Sequence, residues 1–137
     1  MKPEDKQLLL QDLCARLPYG VKALCKGWND EKGEVDIPLT VYSINTDGYV
    51  YFESNDYDVN YLPIEECKPY LRPMSSMTEE EYNELGDLLK AEDPNLNLDE
   101  VMATIEIDWL NENMFDFRGL IDKGLALSTE IFNHYKN

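Results

Sequence analysis

Basic side chains are scarce in this chain: 12 lysines and arginines stand against 28 aspartates and glutamates, a formal net charge of −16. Direct binding to a nucleic acid backbone draws its affinity from counterions that Lys and Arg release, so that function is disfavoured. An anionic membrane surface is disfavoured for the same reason. Cysteine is sparse too. Cys14, Cys25 and Cys67 form an odd set without a C-x-x-C pair, which argues against a disulfide framework and against a zinc site. They are expected to be reduced and mostly buried, with Cys14 and Cys25 as core filling. No stretch approaches the roughly 20 apolar residues of a membrane span. The opening MKPEDKQLLLQDLC lacks the apolar run and small-residue cleavage site of a secretory signal, so the expected location is cytoplasmic.

Catalytic equipment is equally thin. The single histidine, His134, is the fourth residue from the end, a poor place to hold a base for Ser-His or Cys-His chemistry. The glycines never precede a Lys-Ser or Lys-Thr step, so no phosphate loop is present. Asp56, Asp58 and Asn60 match the opening of a calcium loop, but its sixth position is Tyr61 and its twelfth is Cys67, where glycine and a bidentate glutamate belong. A solvated loop is the expectation there. Paired carboxylates such as Glu106 and Asp108 suit acid and base work in principle, yet 28 acidic side chains make pairs common everywhere. The pattern supports no enzyme, cofactor or metal. A carboxylate- or metal-dependent hydrolase stays as the second alternative.

What is present suits one domain over residues 1–137, since 43% apolar content builds one ordinary core at this length. A helix is predicted from Pro3 to Arg16, with Pro3, Glu4 and Asp5 favourable at its start and Arg16 near its end. Leu9, Leu10, Leu13, Cys14 and Leu17 make its apolar stripe, and Pro18-Tyr19-Gly20 stops it. Strands follow in VKALCKGW, EVDIPLTVYSI and YVYFES, with Asp47-Gly48 as a hairpin signal. Val35, Ile37, Leu39 and Val41 alternate as an inward face. Pro38, which has no N–H to donate, marks an edge or a bulge. Residues 54–61 read as loop, and Leu62 to Leu71 as a short strand or a single helical turn. The spacing predicts an α+β fold: a small antiparallel sheet, with an SH3-like barrel as the form such strands can take, packed with an N-terminal helix and two acidic helices.

Those two helices hold most of the charge. Between Glu79 and Glu112, 34 positions carry twelve acidic residues and only Lys90 as a base. Such a block must face water or a basic partner, because burying unpaired carboxylates is costly. Thr78 and Glu81 form a capping box, and Met77 can staple onto Tyr82. Tyr82, Leu85, Leu88 and Leu89 are expected to line one face. Pro94 ends that helix and Asn97 caps the next, where Leu98, Val101, Met102, Ile105 and Trp109 recur at helical spacing. Thr104 to Leu110 also alternates as a strand would; its length and cap favour helix. The end of the chain, with two glycines in a Leu-rich run, reads as a helical turn and a tail packed over the sheet.

Two binding surfaces emerge. Glu79, Glu80, Glu84, Asp87, Glu106 and Asp108 form an array that can mimic a nucleic acid backbone and engage a basic nucleic-acid-binding protein, a contact steered by long-range attraction and weakened by salt. The alternative is a peptide or small ligand taken on a tyrosine-rich face, centred on Tyr49 and Tyr51 and flanked by Tyr42, Tyr57 and Tyr61. Both surfaces also have plain readings, as a solvated helix face and as aromatic packing across a sheet.

The segments LLLQDLCARLPYGVK, KPYLRPMSSMTEEEYNEL and FDFRGLIDKGLALS carry a resemblance. The chain resembles a family of small uncharacterised acidic proteins found in anaerobic gut bacteria and their phages, over most of its length. That resemblance brings no activity and no functional residue with it. It implies a phage or mobile-element accessory protein, a setting in which proteins often inhibit or redirect host factors.

Overall fold

A computed structural model of the chain describes residues 1–53, 61–90 and 98–129. The calcium-like loop at Asp56 to Asn60, Tyr57, Pro94, Asn97 and His134 lie outside the described residues, as do the side chains of Val35, Leu98, Val101 and Met102. The first helix, α1, spans Pro3–Arg16, with proline in its first turn and Arg16 in its last. Its buried face is Leu9, Asp12, Leu13 and Arg16, the i, i+3, i+4, i+7 positions of one helical side. Leu10 and Leu17 pack beside the core from its margin. Cys14 is exposed, contrary to the expectation of core filling, because it lies about 140° around the helix from Leu9. Gly20 then adopts a left-handed φ of 77° and donates its N–H to the Leu17 carbonyl at 3.4 Å, turning the chain into the sheet.

Six strands follow: β1 Lys22–Asn29, β2 Gly33–Ile44, β3 Tyr49–Phe52, β4 Tyr61–Pro63, β5 Lys68–Leu71 and β6 Leu127–Ser128. Their spatial order is β4-β3-β2-β1-β5-β6. All neighbours are antiparallel except β5 and β6. Leu127 and Ser128 join the sheet as a parallel strand beside β5, while residues 130–137, on which the expectation of a tail packed over the sheet also falls, lie outside the described residues; no pairing among the described residues joins β4 to β6 into a closed barrel.

Strand β2 explains the placement of Pro38. Its residues 33–40 pair with β1, whereas Val41 to Ile44 pair with β3 across an irregularity between Val41 and Ser43. Pro38 lies opposite Leu24 in the half with that one partner, so β2 is interior in the sheet order yet edge-like at its proline. The turn into β3 is held by Asn45, whose Oδ1 accepts the N–H groups of Asp47 (3.1 Å) and Tyr49 (3.0 Å). Gly48 supplies the φ of 86° that this turn requires. Leu62 to Leu71 gives both of its predicted forms: β4, a single 3-10 turn over Ile64–Glu66, then β5.

The main core joins Leu9 and Leu13 of α1 to Val21, Ala23, Cys25, Val41, Val50 and Phe52 of the sheet side, and to Ile64, Cys67 and Leu71. A second cluster consists of Leu85, Trp109, Leu110 and Phe115, with Met77, Leu89 and Phe117 against it. It forms where α2 (Glu79–Lys90) meets α3 (Leu98–Glu112). Thr104 to Leu110 is therefore helical. Tyr82 and Leu88 are exposed, at 69% and 42%, and do not share the face of Leu85 as expected. Each sits about 60° from Leu85, on opposite sides, and α2 packs along too narrow a line to cover both.

α3 ends in a Schellman arrangement. Met114 takes φ 62°, its N–H reaches the Asn111 carbonyl (3.2 Å), and the Phe115 N–H reaches that of Leu110 (2.9 Å). The chain then runs beside β5. Arg72 donates its N–H to Met114 (2.7 Å), and its carbonyl accepts from Asp116 (2.8 Å).

Candidate protein-binding surface

The acidic helices are tied to the sheet through one arginine at the end of β5. Arg72 donates from Nη1 and Nη2 to the two carboxylate oxygens of Glu81, both at 2.7 Å, the bidentate geometry in which such pairs are strongest. The Arg72 guanidinium lies 4.1 Å from the centroid of Phe115, and Phe115 stacks on Trp109 of α3 at 5.6 Å and 17°. Glu81 also completes the capping box: Thr78 Oγ1 accepts the Glu81 N–H, and Glu81 accepts the Thr78 N–H, both at 3.1 Å. The Arg72 hydrogen bond holds the Glu81 carboxyl down to about 2, assisted by the Thr78 backbone N–H and opposed by partial burial.

The neighbours of Glu81 in the same acidic triplet behave differently. Glu79, Glu80, Glu84 and Asp87 of α2 and Glu106 and Asp108 of α3 are all exposed, and among the described residues none of the six is held in an ion pair. Glu80, Glu84 and Asp87 line one open groove of about 510 Å³ with Asn83 and Leu88. Asp87 and Glu106 line a second, of about 390 Å³, with Tyr82, Leu85, Leu89 and Lys90. Four of the six candidate carboxylates thus come together around α2, with Asp87 shared by the two grooves. Glu79 and Asp108 line neither.

Tyr49 and Tyr51 project from β3 toward Tyr61 of β4, which is paired opposite Tyr51. The Tyr61 ring meets Tyr49 edge-on at 5.6 Å and 79°, and Tyr51 at 5.7 Å and 36°. Tyr51 also accepts the Asn45 Nδ2–H at 3.4 Å. Tyr42 is 70% exposed and Tyr61 is 55% exposed. The three paired rings satisfy one another across the sheet, as cross-strand aromatics do, and still leave ring area toward water.

One polar constellation was missed in the sequence. Asp12 and Arg16 are fully buried side by side, with Arg16 Nε 3.1 Å and 3.0 Å from the two carboxylate oxygens. Asp12 also accepts from Arg118 Nη1 at 2.6 Å, which reaches Asn111 Oδ1 at 3.1 Å. Arg16 Nη2 donates to the Phe115 carbonyl at 2.6 Å. Burial pulls the Arg16 guanidinium below its ordinary value, and Asp12 opposes this. The available signal was spacing, since Asp12 and Arg16 share the helical arc of Leu9 and Leu13. This network is a fastening between α1 and the chain after α3, not an open site. Among the described residues, no group of three His, Cys, Asp or Glu side chains is arranged to hold a metal, and no helix is long and apolar enough to cross a membrane.

No protein-family profile, no curated protein and no solved structure matches the chain.

Proposed function

We propose that the α2–α3 face is a protein-docking surface through which this chain engages a basic nucleic-acid-binding protein by presenting carboxylates in place of a phosphate backbone. The observation that supports this most is the division within one triplet. Glu81 is fixed by Arg72, while Glu79 and Glu80 beside it stay in water with Glu84 and Asp87 on the same helix. A carboxylate array on an anchored helix is pre-organised, so less ordering cost opposes binding than for an acidic tail. The role is non-enzymatic, in the cytoplasm, and the resemblance to acidic phage and gut-bacterial proteins adds the setting of a mobile-element accessory factor.

The test is an affinity capture from bacterial lysate on the immobilised chain, with bound proteins released by a salt gradient. A parallel column carries a variant with Glu79, Glu80, Glu84 and Glu106 changed to Gln and Asp87 and Asp108 to Asn. The expected result is a basic nucleic-acid-binding protein that elutes with salt, is displaced by duplex DNA and is absent from the variant column. Equal retention on both columns overturns the reading. A second reading, a peptide docked on Tyr49, Tyr51 and Tyr61, is favoured by the exposed ring area of Tyr61. It requires capture that survives salt and fails on Tyr49→Ala or Tyr51→Ala.

A further inference from the structure

Cys25 and Cys67 are free thiols, at 0% and 1% exposure, within the same core cluster. Their relation follows from the β1–β5 register, in which Ala23 faces Pro69 and Leu24 faces Lys68. Pro69 has no N–H to give, so the pair that exchanges two N–H···O bonds is Leu24 with Lys68. The ladder ends at that pair, and Cys25 and Cys67 are the residues one step beyond it on the two chains; Cys67 caps the 3-10 turn, its N–H on the Ile64 carbonyl, with its backbone extended at φ −90°, ψ 121°, and it lies close enough to Cys25 to feel its charge. Positions beside a doubly bonded pair are the closely spaced kind, with Cα atoms about 4.5 Å apart and side chains on one face. A disulfide spans Cα separations of about 4.4–6.8 Å, a range that continuation of this register by one residue would meet.

We propose that Cys25 and Cys67 are a reversible cross-strand disulfide site, oxidised by a low-molecular-weight disulfide, that fastens β5 to β1. The exchange balances in two steps. One cysteine, as thiolate, attacks a sulfur of oxidised glutathione, forming a mixed disulfide and expelling one glutathione thiolate. The other cysteine then attacks the protein sulfur of that mixed disulfide, forming the Cys25–Cys67 bond and releasing the second glutathione. The two protons lost by the cysteines end on the two glutathione thiols, and the two electrons lost by the protein sulfurs reduce the glutathione disulfide. Burial pushes both thiols up to about 12, and the charge of Cys25 adds to the rise at Cys67. The closed sheet therefore protects the dithiol, and local opening of the β1–β5 pairing admits the oxidant. The bond would fix the strand that leads directly into Arg72, from which α2 is held.

The experiment uses the full chain carrying Cys14→Ser, a substitution at an exposed position that leaves Cys25 and Cys67 as its two thiols. The protein is incubated with oxidised glutathione in buffer and in urea below the unfolding transition, returned to buffer, and digested without reductant for mass spectrometry. The expected result is an intact mass lower by two hydrogen atoms, one peptide joining Cys25 to Cys67, and full reversal by dithiothreitol in the folded protein. Recovery of both cysteines as free thiols after the urea cycle, or as separate glutathione adducts, overturns the proposal. A chain carrying both Cys14→Ser and Cys25→Ser is expected to accumulate a stable glutathione adduct at Cys67 under the same cycle, since no second thiol remains to resolve it.

Discussion

The α1 region and the α2–α3 region spend charge in opposite ways. In α1, Asp12 and Arg16 are at 0% exposure and close onto Arg118, so the charges act inside the fold. On α2 and α3, the six candidate carboxylates and Glu112 face water, and among the described side chains of these helices Glu81 is the carboxylate drawn inward, where Arg72 meets it. The two regions join at Met114 to Phe117, whose backbone serves both Arg16 and Arg72. Total charge therefore says little about what any one carboxylate contributes. Position relative to an arginine decides it.

The largest expected effect comes from breaking the inner arrangement. Asp12→Asn leaves Arg16 and Arg118 without their shared anion, and removing one member of a buried ionic set costs about 3–5 kcal/mol. A urea unfolding curve should show the midpoint fall by that measure, with the slope kept. Arg72→Met should come next, at about 2–3 kcal/mol, since it removes two charge-assisted bonds to Glu81 and the contact with Phe115. Its loss should be local. Hydrogen exchange in α2 should rise more than in β1 and β2.

Acid separates the two kinds of carboxylate without any mutation. The folded Glu81 carboxyl lies at about 2, against about 4.3 for a glutamate in an unfolded chain. Because the folded value is the lower one, its stabilisation is fully present above about 4.3 and disappears as pH falls through about 2. Unfolding midpoints of the wild type and Glu81→Gln should differ at pH 6 and converge near pH 2. The smallest effect is expected on the outside. Neutralising Glu79, Glu80, Glu84, Asp87, Glu106 and Asp108 together should move stability by no more than about 1 kcal/mol, since relief of repulsion offsets weaker helix-dipole terms at Glu79 and Glu80. The same variant should lose salt-sensitive capture.

Local signals were legible in the sequence, and distant pairings were not. Pro3 and Arg16 bound α1 as read. The capping box of Thr78 and Glu81 forms, and Asn45 to Gly48 makes the expected turn. Each depends on residues within a few positions. Arg118 meets Asp12 across 106 positions and Arg16 meets the Phe115 carbonyl across 99, and no periodicity encodes such a meeting. Arg16 consequently reads as a helix-end charge, although it is among the most buried side chains. Leu127 and Ser128 form β6 only because β5 has an open edge beside β1, a fact of topology and not of propensity. For the candidate surface, the sequence placed the six carboxylates on helices and set Glu81 apart as half of a capping box with Thr78, but it did not show the ion pair that fixes Glu81. The partner in that pair, Arg72, stands nine positions upstream on another element.

The most direct measurement is urea unfolding of two variants in parallel: the one with six carboxylates neutralised and the one with Arg72→Met alone. If surface charge is for docking and inner charge is for folding, the six-fold variant keeps its midpoint while the single one loses about 2–3 kcal/mol. A six-fold variant less stable than Arg72→Met would contradict that division, and would mean that the outer carboxylates hold the fold together.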